Sequence, residues 1–251
     1  MEIAALQKGL VLIVNGSEVI EEGAGFGVPI AKYSDRTYFS RTATVYVGVQ
    51  NEYVAEITKV FLLDSVSKKQ VHGAFINDGL YSAFHKTFEK SYIQRGKMRP
   101  FFDWIMRFRK MIGIKTYFSQ VSPRGKITVN YLCYSDHIKV SADFSQVDMT
   151  GCPALLILNE QGATFFRKCK SDNEVLQDRK IGAWTKVNDG KAEISDLGEN
   201  ISFSLEKRDD ADLYSGREQV KDRFSWAGMT YALNPNTRVF NYIIQLQENK
   251  P

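Results

Sequence analysis

The sequence predicts a mainly β protein, a large antiparallel two-sheet sandwich with a two-helix insertion at about residues 78–113. Apolar and polar residues alternate along most of the 251 residues, which is the period of half-buried strands. Turn signals such as Asn15-Gly16 separate the alternating runs. Strand-like runs do not alternate with helical runs, which disfavours a doubly wound α/β fold. We therefore expect one domain over residues 1–251.

The predicted strands follow one another closely on both sides of the insertion. The run GLVLIV at 9–14 leads into the Asn15-Gly16 hairpin signal, and residues 68–76 are the predicted return strand for residues 52–67. The segment CPALLILNEQGATFFRKC is predicted as a hairpin that turns at 159–162, and the charged residues 206–223 as a solvated loop or short helix. Other strands or hairpins are expected at 28–33, 37–49, 114–122, 126–135, 137–147, 181–196, 200–208, 223–233 and 237–247.

The insertion is predicted from a change of period. From residue 78 to residue 112 the apolar residues recur every three or four positions, as on one face of a helix. Gly96 and Pro100 divide the segment into two helices. The two faces carry Leu80, Phe84, Phe88 and Tyr92, and then Phe101, Ile105, Phe108 and Ile112.

Cysteine and histidine usage argues against several site classes. The three cysteines, Cys133, Cys152 and Cys169, have no CxxC spacing, which disfavours a disulfide framework and a structural zinc site. The three histidines have no metal-ligand spacing, and we expect no metal and no cofactor. The N-terminal residues lack the features of a signal peptide, and no run is long enough to span a bilayer, so a cytoplasmic protein is expected.

The glycine-rich segment EEGAGFG at 21–27 allows two interpretations. A dinucleotide site is rejected because strand residues, not a helix, follow the glycines. We favour glycines that adopt positive φ in a bulge or tight corner. The alternative is the floor of an open cleft, where a ligand approaches the backbone. Its polar and aromatic walls would be Glu22, Tyr33, Asp35, Tyr38 and Arg41.

Aromatic residues beside polar ones suggest carbohydrate recognition. Sugar rings present apolar faces that stack on aromatic rings, and their hydroxyls bind neighbouring polar groups. Packing within the sheets also explains Trp184 and Trp226, and we favour that interpretation for each. The carbohydrate hypothesis assigns the site to Glu22, Asp35, Tyr38, Arg41, Trp184 and Trp226.

The charge of the insertion suggests a second function, docking onto an acidic partner. Residues 86–115 contain nine basic and two acidic side chains, whereas the rest of the chain is slightly acidic. Such a patch attracts a nucleic acid, an anionic membrane or an acidic protein, although a solvated helix face is also consistent with it. The residues assigned to this function are Arg95, Lys97, Arg99, Arg107, Arg109 and Lys110.

A third hypothesis is a structural role without catalysis. Phe101, Phe102 and Trp104 are apolar residues of the insertion that could form a subunit contact in a homo-oligomer.

The strand number, glycine-rich corners and helical insertion resemble those of the galactose-mutarotase-like β-sandwich proteins. That family includes epimerases and domains of polysaccharide lyases and glycosidases, so the resemblance implies a supersandwich and a carbohydrate ligand. The family's catalytic pattern is a glutamate base with histidine acids on facing strands. No histidine of this sequence matches that pattern, and the resemblance leaves enzyme activity open.

Overall fold

The computed structural model describes most of the chain outside the predicted insertion. The described residues are 1–5, 9–14, 17–18, 25–33, 37–51, 54–71, 115–152, 154–172, 174–182, 184–220 and 224–249. The predicted two-helix insertion at 78–113 lies outside them. The described part contains strands and one short 3₁₀ turn, Asp178–Lys180.

Eighteen strands are present in the described residues. They are β1 (Glu2–Ala5), β2 (Leu10–Val14), β3 (Ser17–Glu18), β4 (Gly25–Lys32), β5 (Thr37–Asn51), β6 (Val54–Val71), β7 (Lys115–Val121), β8 (Lys126–Cys133), β9 (His137–Asp143), β10 (Ala154–Gly162), β11 (Lys168–Ser171), β12 (Glu174–Gln177), β13 (Thr185–Lys186), β14 (Lys191–Ser195), β15 (Ile201–Glu206), β16 (Ala211–Val220), β17 (Phe224–Leu233) and β18 (Val239–Glu248).

The chain divides into two compact units. The first comprises residues 1–65 and 122–251, and the second comprises residues 66–121. The described part of the second unit is the end of β6 and strand β7. All sheet and site geometry below belongs to the first unit.

The first unit contains two antiparallel sheets. The seven-stranded sheet has the order β13-β16-β17-β10-β4-β2-β1, and the two-residue β3 pairs with the end of β2. The nine-stranded sheet has the order β5-β6-β8-β9-β18-β15-β14-β11-β12. Strands β4 and β5 form a hairpin that joins the two sheets.

Alternating burial explains why these segments form strands. In β8 the side chains of Ile127, Val129, Tyr131 and Cys133 are buried, and the intervening residues are partly or fully exposed. In β18 the same pattern buries Phe240, Tyr242, Ile244 and Leu246. One apolar face per strand requires a second apolar face to cover it, which a second sheet provides.

Aromatic rings join the two sheets into a sandwich. Phe26 of β4 lies edge-on to Phe203 of β15, with ring centroids 5.0 Å apart. Tyr231 of β17 makes similar contacts with Phe240 at 5.1 Å and Tyr242 at 5.2 Å. Each pair has one partner in each sheet, so the mainly β, two-sheet sandwich predicted from the sequence is confirmed.

A β-bulge in β4 is held by side chains of three other strands. Asn159 pairs with Phe26 and Leu158 pairs with Val28, so Gly27 is the extra residue, and its φ is 74°. The Gly27 N–H donates to Asn159 Oδ1 at 3.0 Å, and Tyr131 Oη donates to the carbonyls of Phe26 and Gly27 at 3.0 and 3.2 Å.

Tyr242 completes this buried network. Its hydroxyl donates to the same Asn159 Oδ1 at 2.8 Å, which links β18 of one sheet to β10 of the other. Burial raises the pKa of both Tyr131 and Tyr242 well above the usual value for tyrosine. Both hydroxyls therefore stay protonated and act as hydrogen-bond donors.

The predicted turn at 159–162 is wrong, because β10 continues through these residues. Asn159, Glu160 and Gln161 are buried, although asparagine usually favours turns. The Gln161 amide accepts from Leu12 N–H and donates to the Leu10 carbonyl, each at 3.1 Å. Burial is tolerated because the side-chain amides satisfy backbone groups of neighbouring strands.

Two further predictions are corrected by the strand bounds. Residues 206–223, predicted as a loop or short helix, contain β16, in which Ala211, Leu213 and Ser215 are buried at alternate positions. The predicted reversal between 67 and 68 does not occur, because β6 continues to Val71. In both segments a high density of charged residues hides strand alternation.

We predict that Gly27→Ala destabilises the fold more than Gly151→Ala does. The two glycines have nearly the same φ, 74° and 73°. A Cβ at Gly27 would lie 2.5 Å from Tyr131 Oη, whereas nothing lies within 4 Å of a Cβ at Gly151. We expect a loss of about 3 kcal/mol of unfolding free energy for Gly27→Ala and about 1 kcal/mol for Gly151→Ala, measured by urea denaturation. Equal losses would contradict this packing role of Gly27.

Candidate functional site

The glycine-rich segment forms a closed corner at the two glycines that the structure describes. A Cβ at Gly25 would lie 2.3 Å from the Gly9 Cα, so the two backbones are in direct contact. The φ of Gly25 is 142°, which side chains rarely adopt. The favoured interpretation of a bulge or tight corner is confirmed for Gly25 and Gly27. Gly23 lies outside the described residues.

Tyr38 is buried in the packing of the β4–β5 hairpin. Its side chain is 2% exposed, and its ring lies edge-on to Tyr33 at 5.1 Å. The guanidinium of Arg124 lies over both rings, donates to Tyr38 Oη at 3.4 Å and pairs with Asp148 at 2.9 Å. Burial raises the pKa of Tyr33 to about 12. Burial and these contacts give Tyr38 a structural role in the hairpin.

Trp226 belongs to the seven-stranded sheet and Trp184 lies beside its edge strand β13, and each is partly buried. Trp226 lies in β17 and pairs with Gly162 of β10 on one side and Glu218 of β16 on the other. Trp184 directly precedes β13, which pairs with the opposite side of β16. The two tryptophans therefore lie two strands apart, and Tyr38 lies in a third region at the hairpin.

The remaining predicted site residues have no described side chain. Glu22 and Asp35 lie outside the described residues, and Arg41 belongs to β5 without a described side chain. The residues assigned to the acidic partner and to oligomer contacts also lie outside: Arg95, Lys97, Arg99, Arg107, Arg109, Lys110, Phe101, Phe102 and Trp104. These assignments stay predictions.

A groove of about 530 Å³ lies on the outer face of the nine-stranded sheet. We call it the outer-face groove. Its floor comes from four adjacent strands, β6, β8, β9 and β18, at the positions that point away from the core. The side chains that define it are Glu56, Asn130, Leu132, Lys139, Ser141, Arg208, Asn241 and Ile243.

Two rows of paired residues cross the strands at this groove, and every member except Thr58 lines it. In the polar row, cross-strand pairs connect Thr58 to Asn130, Asn130 to Ser141 and Ser141 to Asn241. The neighbouring row is mixed and consists of Glu56, Leu132, Lys139 and Ile243, again paired strand by strand. Paired residues share one face of a sheet, so strand register fixes both rows.

A hydrogen bond orients the polar row. Thr58 Oγ1 donates to Asn130 Oδ1 at 2.7 Å, which presents the Asn130 amide nitrogen as a donor. Among the described residues, the side chains of Ser141 and Asn241 have no hydrogen-bond partner. Ser141 and Asn241 can therefore bond to a ligand without breaking a contact within the described chain.

A small aromatic cluster adjoins the groove at the β8–β9 turn. The rings of Tyr134 and His137 stack with centroids 4.3 Å apart, and Lys139 Nζ lies 5.1 Å from the Tyr134 centroid. His137 Nδ1 lies 2.7 Å from Asp136 Oδ1, and this hydrogen bond lowers the pKa of Asp136. The Lys139 ammonium group therefore lies beside this aromatic cluster.

Arg208 lines the groove beyond the end of β15. Its Nε and Nη2 atoms donate to the two carboxylate oxygens of Asp210 at 2.7 and 2.8 Å. Its guanidinium lies 5.1 Å from the centroid of Phe240. The hydrogen bonds to Asp210 raise the pKa of Arg208 and lower that of Asp210. Both groups stay charged, and Arg208 is held in place.

The described lining of the groove contains one carboxylate and no histidine or cysteine. Glu56 is the one carboxylate among the described lining residues, whereas glycoside hydrolysis usually employs two facing carboxyl groups. No group of three or more histidine, cysteine or acidic residues in the described part of the chain could hold a metal ion. Cys133, Cys152 and Cys169 are buried and unpaired, and burial raises the pKa of each thiol.

Comparison of the chain with protein families, with characterised proteins and with solved structures gives no match. The resemblance to galactose-mutarotase-like proteins therefore stays a prediction. None of the helical structure in the described residues is long and apolar enough to cross a membrane.

The outer-face groove was not predicted from the sequence. Its signal is visible within single strands: β8 places Asn130 and Leu132, and β9 places Lys139 and Ser141, at the positions between buried residues. Asparagine and serine on the solvent side of a strand are also ordinary surface residues, so the signal is weak. The pairings of β6 with β8 and of β9 with β18 bring these residues together, and local patterns do not reveal those pairings.

Lys59 is a buried cation in β6, away from the outer-face groove. Its side chain is fully buried, and Nζ donates to the Gly9 carbonyl at 2.8 Å. Burial lowers the pKa of Lys59 to about 8, because desolvation disfavours the charged form. Below this pKa, the folded state holds the charged ammonium at a cost in stability.

We predict that raising the pH stabilises the native protein relative to its Lys59→Met variant. Above the folded pKa of about 8, the folded chain has released a proton that the unfolded chain retains up to about 10.5. Between about pH 7 and about pH 9.5, the difference in unfolding free energy should shift by ~2 kcal/mol in favour of the native protein. Urea denaturation of both proteins measures it. Cysteine and tyrosine titrations are common to both, and parallel pH profiles would contradict the lowered pKa.

Proposed function

We propose that the protein binds a carbohydrate and that the outer-face groove is its binding surface. The observation that carries this proposal is the polar row, Thr58, Asn130, Ser141 and Asn241, on four adjacent strands. Four neutral hydrogen-bonding side chains in register form a line of donors and acceptors on a sheet face. Such a line suits a ligand with many hydroxyl groups, because each hydroxyl both donates and accepts.

The charged groups of the groove strengthen this match. Glu56 offers an acceptor, and Lys139 and Arg208 offer donors, so the groove contains both signs of charge. A nucleic acid or an anionic membrane requires a mainly cationic surface, which this groove does not provide. Neutral sugars bind through charged and amide side chains without needing a net charge.

The apolar residues of the mixed row match the other part of a sugar. Leu132 and Ile243 lie on either side of Lys139 in that row, and Ile243 is 42% exposed. Pyranose rings present C–H groups on their faces, and contact with these side chains removes apolar surface from water. Polar and apolar rows side by side therefore serve the two kinds of surface on one ligand.

The size of the groove fits a short oligosaccharide. Neighbouring strands lie ~4.8 Å apart, so a row across four strands is roughly 14 Å long. The groove volume of about 530 Å³ is in the range of small-molecule sites. The proposal moves carbohydrate binding away from Tyr38, Trp184 and Trp226, none of which lines this groove.

We predict that Asn241→Ala weakens carbohydrate binding without unfolding the protein. The described protein makes no hydrogen bond to this side chain, so its removal costs only ligand contacts. A ligand found by screening neutral oligosaccharides should bind about fivefold more weakly, as expected for one lost hydrogen bond. Isothermal titration calorimetry measures the affinity, and thermal unfolding verifies the fold.

The matched control is Asn236→Ala, which removes an exposed asparagine from the β17–β18 turn. Its affinity for the same oligosaccharide should equal that of the native protein, and Ser141→Ala should resemble Asn241→Ala. Binding that is unchanged in both Ser141→Ala and Asn241→Ala would rule out this surface. Failure of every neutral oligosaccharide to bind at millimolar concentration would rule out the function.

A further inference from the structure

A second groove, of about 690 Å³, lies at one end of the sandwich. We call it the end groove. The turn after β10, the segment at the end of β12 and strand β16 form its walls. It shares no residue with the outer-face groove, and its lining residues are Ala163, Thr164, Arg167, Gln177, Asp178, Lys180 and Arg217.

The end groove is cationic. Arg167, Lys180 and Arg217 are its three basic residues, and Asp178 is the one acidic residue among the described lining residues. Arg167 Nε donates to Asp178 Oδ1 at 2.5 Å, so the charge of Asp178 balances that of Arg167. Two positive charges remain, and in the described part of the chain neither Lys180 nor Arg217 has an ion-pair partner.

Both arginines are anchored through Nε. The Nε of Arg167 bonds to Asp178, and the Nε of Arg217 donates to Ser225 Oγ at 2.7 Å. These bonds orient each guanidinium plane, and no acceptor among the described residues bonds to the terminal Nη groups, which can donate to a ligand. Two parallel N–H donors on a planar fork match the oxygens of a phosphate or sulfate group.

The backbone segments that carry the cations are bonded to one another. The Asp178 N–H donates to the Arg167 carbonyl at 2.8 Å, and the Ile181 N–H donates to the Asp178 carbonyl at 3.2 Å. The Arg217 N–H donates to the Gly182 carbonyl at 2.9 Å. These bonds hold the three basic residues around the groove before any ligand enters, which lowers the entropy cost of binding.

Positive charges that lie close together repel one another unless an anion binds between them. The fold holds these three basic residues in that position. Thr164 and Gln177 add neutral donors at the same walls. The volume exceeds that of a lone phosphate, so the groove can hold the remainder of a small polar molecule. We propose that the end groove binds a tetrahedral oxyanion group, a phosphate or sulfate ester of a small molecule, through Arg167, Lys180 and Arg217.

The test is titration of the full chain with inorganic phosphate at low ionic strength, with sulfate and acetate in parallel. Phosphate or sulfate should bind more tightly than acetate, and binding should weaken as salt is added. The tighter of the two tetrahedral anions identifies the ester class. Acetate that binds as tightly as phosphate and sulfate, or no binding of either tetrahedral anion at millimolar concentration, would overturn the proposal.

The key variant is Lys180→Gln, with Lys207→Gln as its matched control. Lys180 is exposed, and no described residue makes a hydrogen bond or ion pair with its side chain, so the variant should fold. Lys207 is also exposed but lies outside the groove, and both variants lose one positive charge. Lys180→Gln should weaken phosphate binding roughly fivefold, and Lys207→Gln should leave it unchanged. Equal weakening by both would reduce the effect to net charge and overturn the proposal. Arg217→Gln should weaken phosphate binding more than Lys180→Gln does.

Discussion

The backbone of Gly27 in β4 is hydrogen-bonded to side chains from both sheets, and the alignment of the sandwich depends on this arrangement. Its N–H bonds to Asn159, and its carbonyl accepts from Tyr131, while Tyr242 reaches the same asparagine oxygen. A buried donor or acceptor without a partner costs ~1–3 kcal/mol, so each member of this network requires the others. The absence of a Cβ at residue 27 makes the approach of Tyr131 feasible. Hydrophobic burial draws the sheets together, and this network specifies how they are aligned.

That alignment separates the two candidate grooves. The core uses alternate residues of β8, β9 and β18, so the other residues of these strands form the floor of the outer-face groove. The end groove depends instead on loops and strand ends, where Arg167, Asp178 and Arg217 are linked by backbone and side-chain hydrogen bonds. The outer-face groove has a sheet as its base, whereas the end groove contains basic residues at one end of the sandwich. The proposed ligands differ accordingly, one neutral and one anionic.

Local sequence patterns predicted those parts of the fold that local contacts determine. The strands at 28–33 and 37–49 and the hairpin after residue 14 agree with β4, β5 and the β2–β3 pair. The failure at 159–162 arises because the side chains of Asn159 and Gln161 bond to distant partners, whereas the failure within 206–223 arises because charged residues hide the alternation of β16. Leu12 and Gln161, for example, are 149 positions apart. The outer-face groove depends on the pairing of β6 with β8 and of β9 with β18, which are distant in sequence, so local patterns could not assemble its residues.

The order in which the strands pair also constrains how the chain folds. Strand β4 pairs with β10 and β6 pairs with β8, each across a long intervening segment, and β18 completes the sheet with β9 and β15. Non-local pairing is slow, because loop closure must precede any compensating contact. Because β10 lies more than 100 residues after β4, β2 and β4 emerge from the ribosome long before β10 does, and their apolar faces are then uncovered. Nascent chains of this protein should depend on chaperones that shield these apolar faces until the last strands have been synthesised.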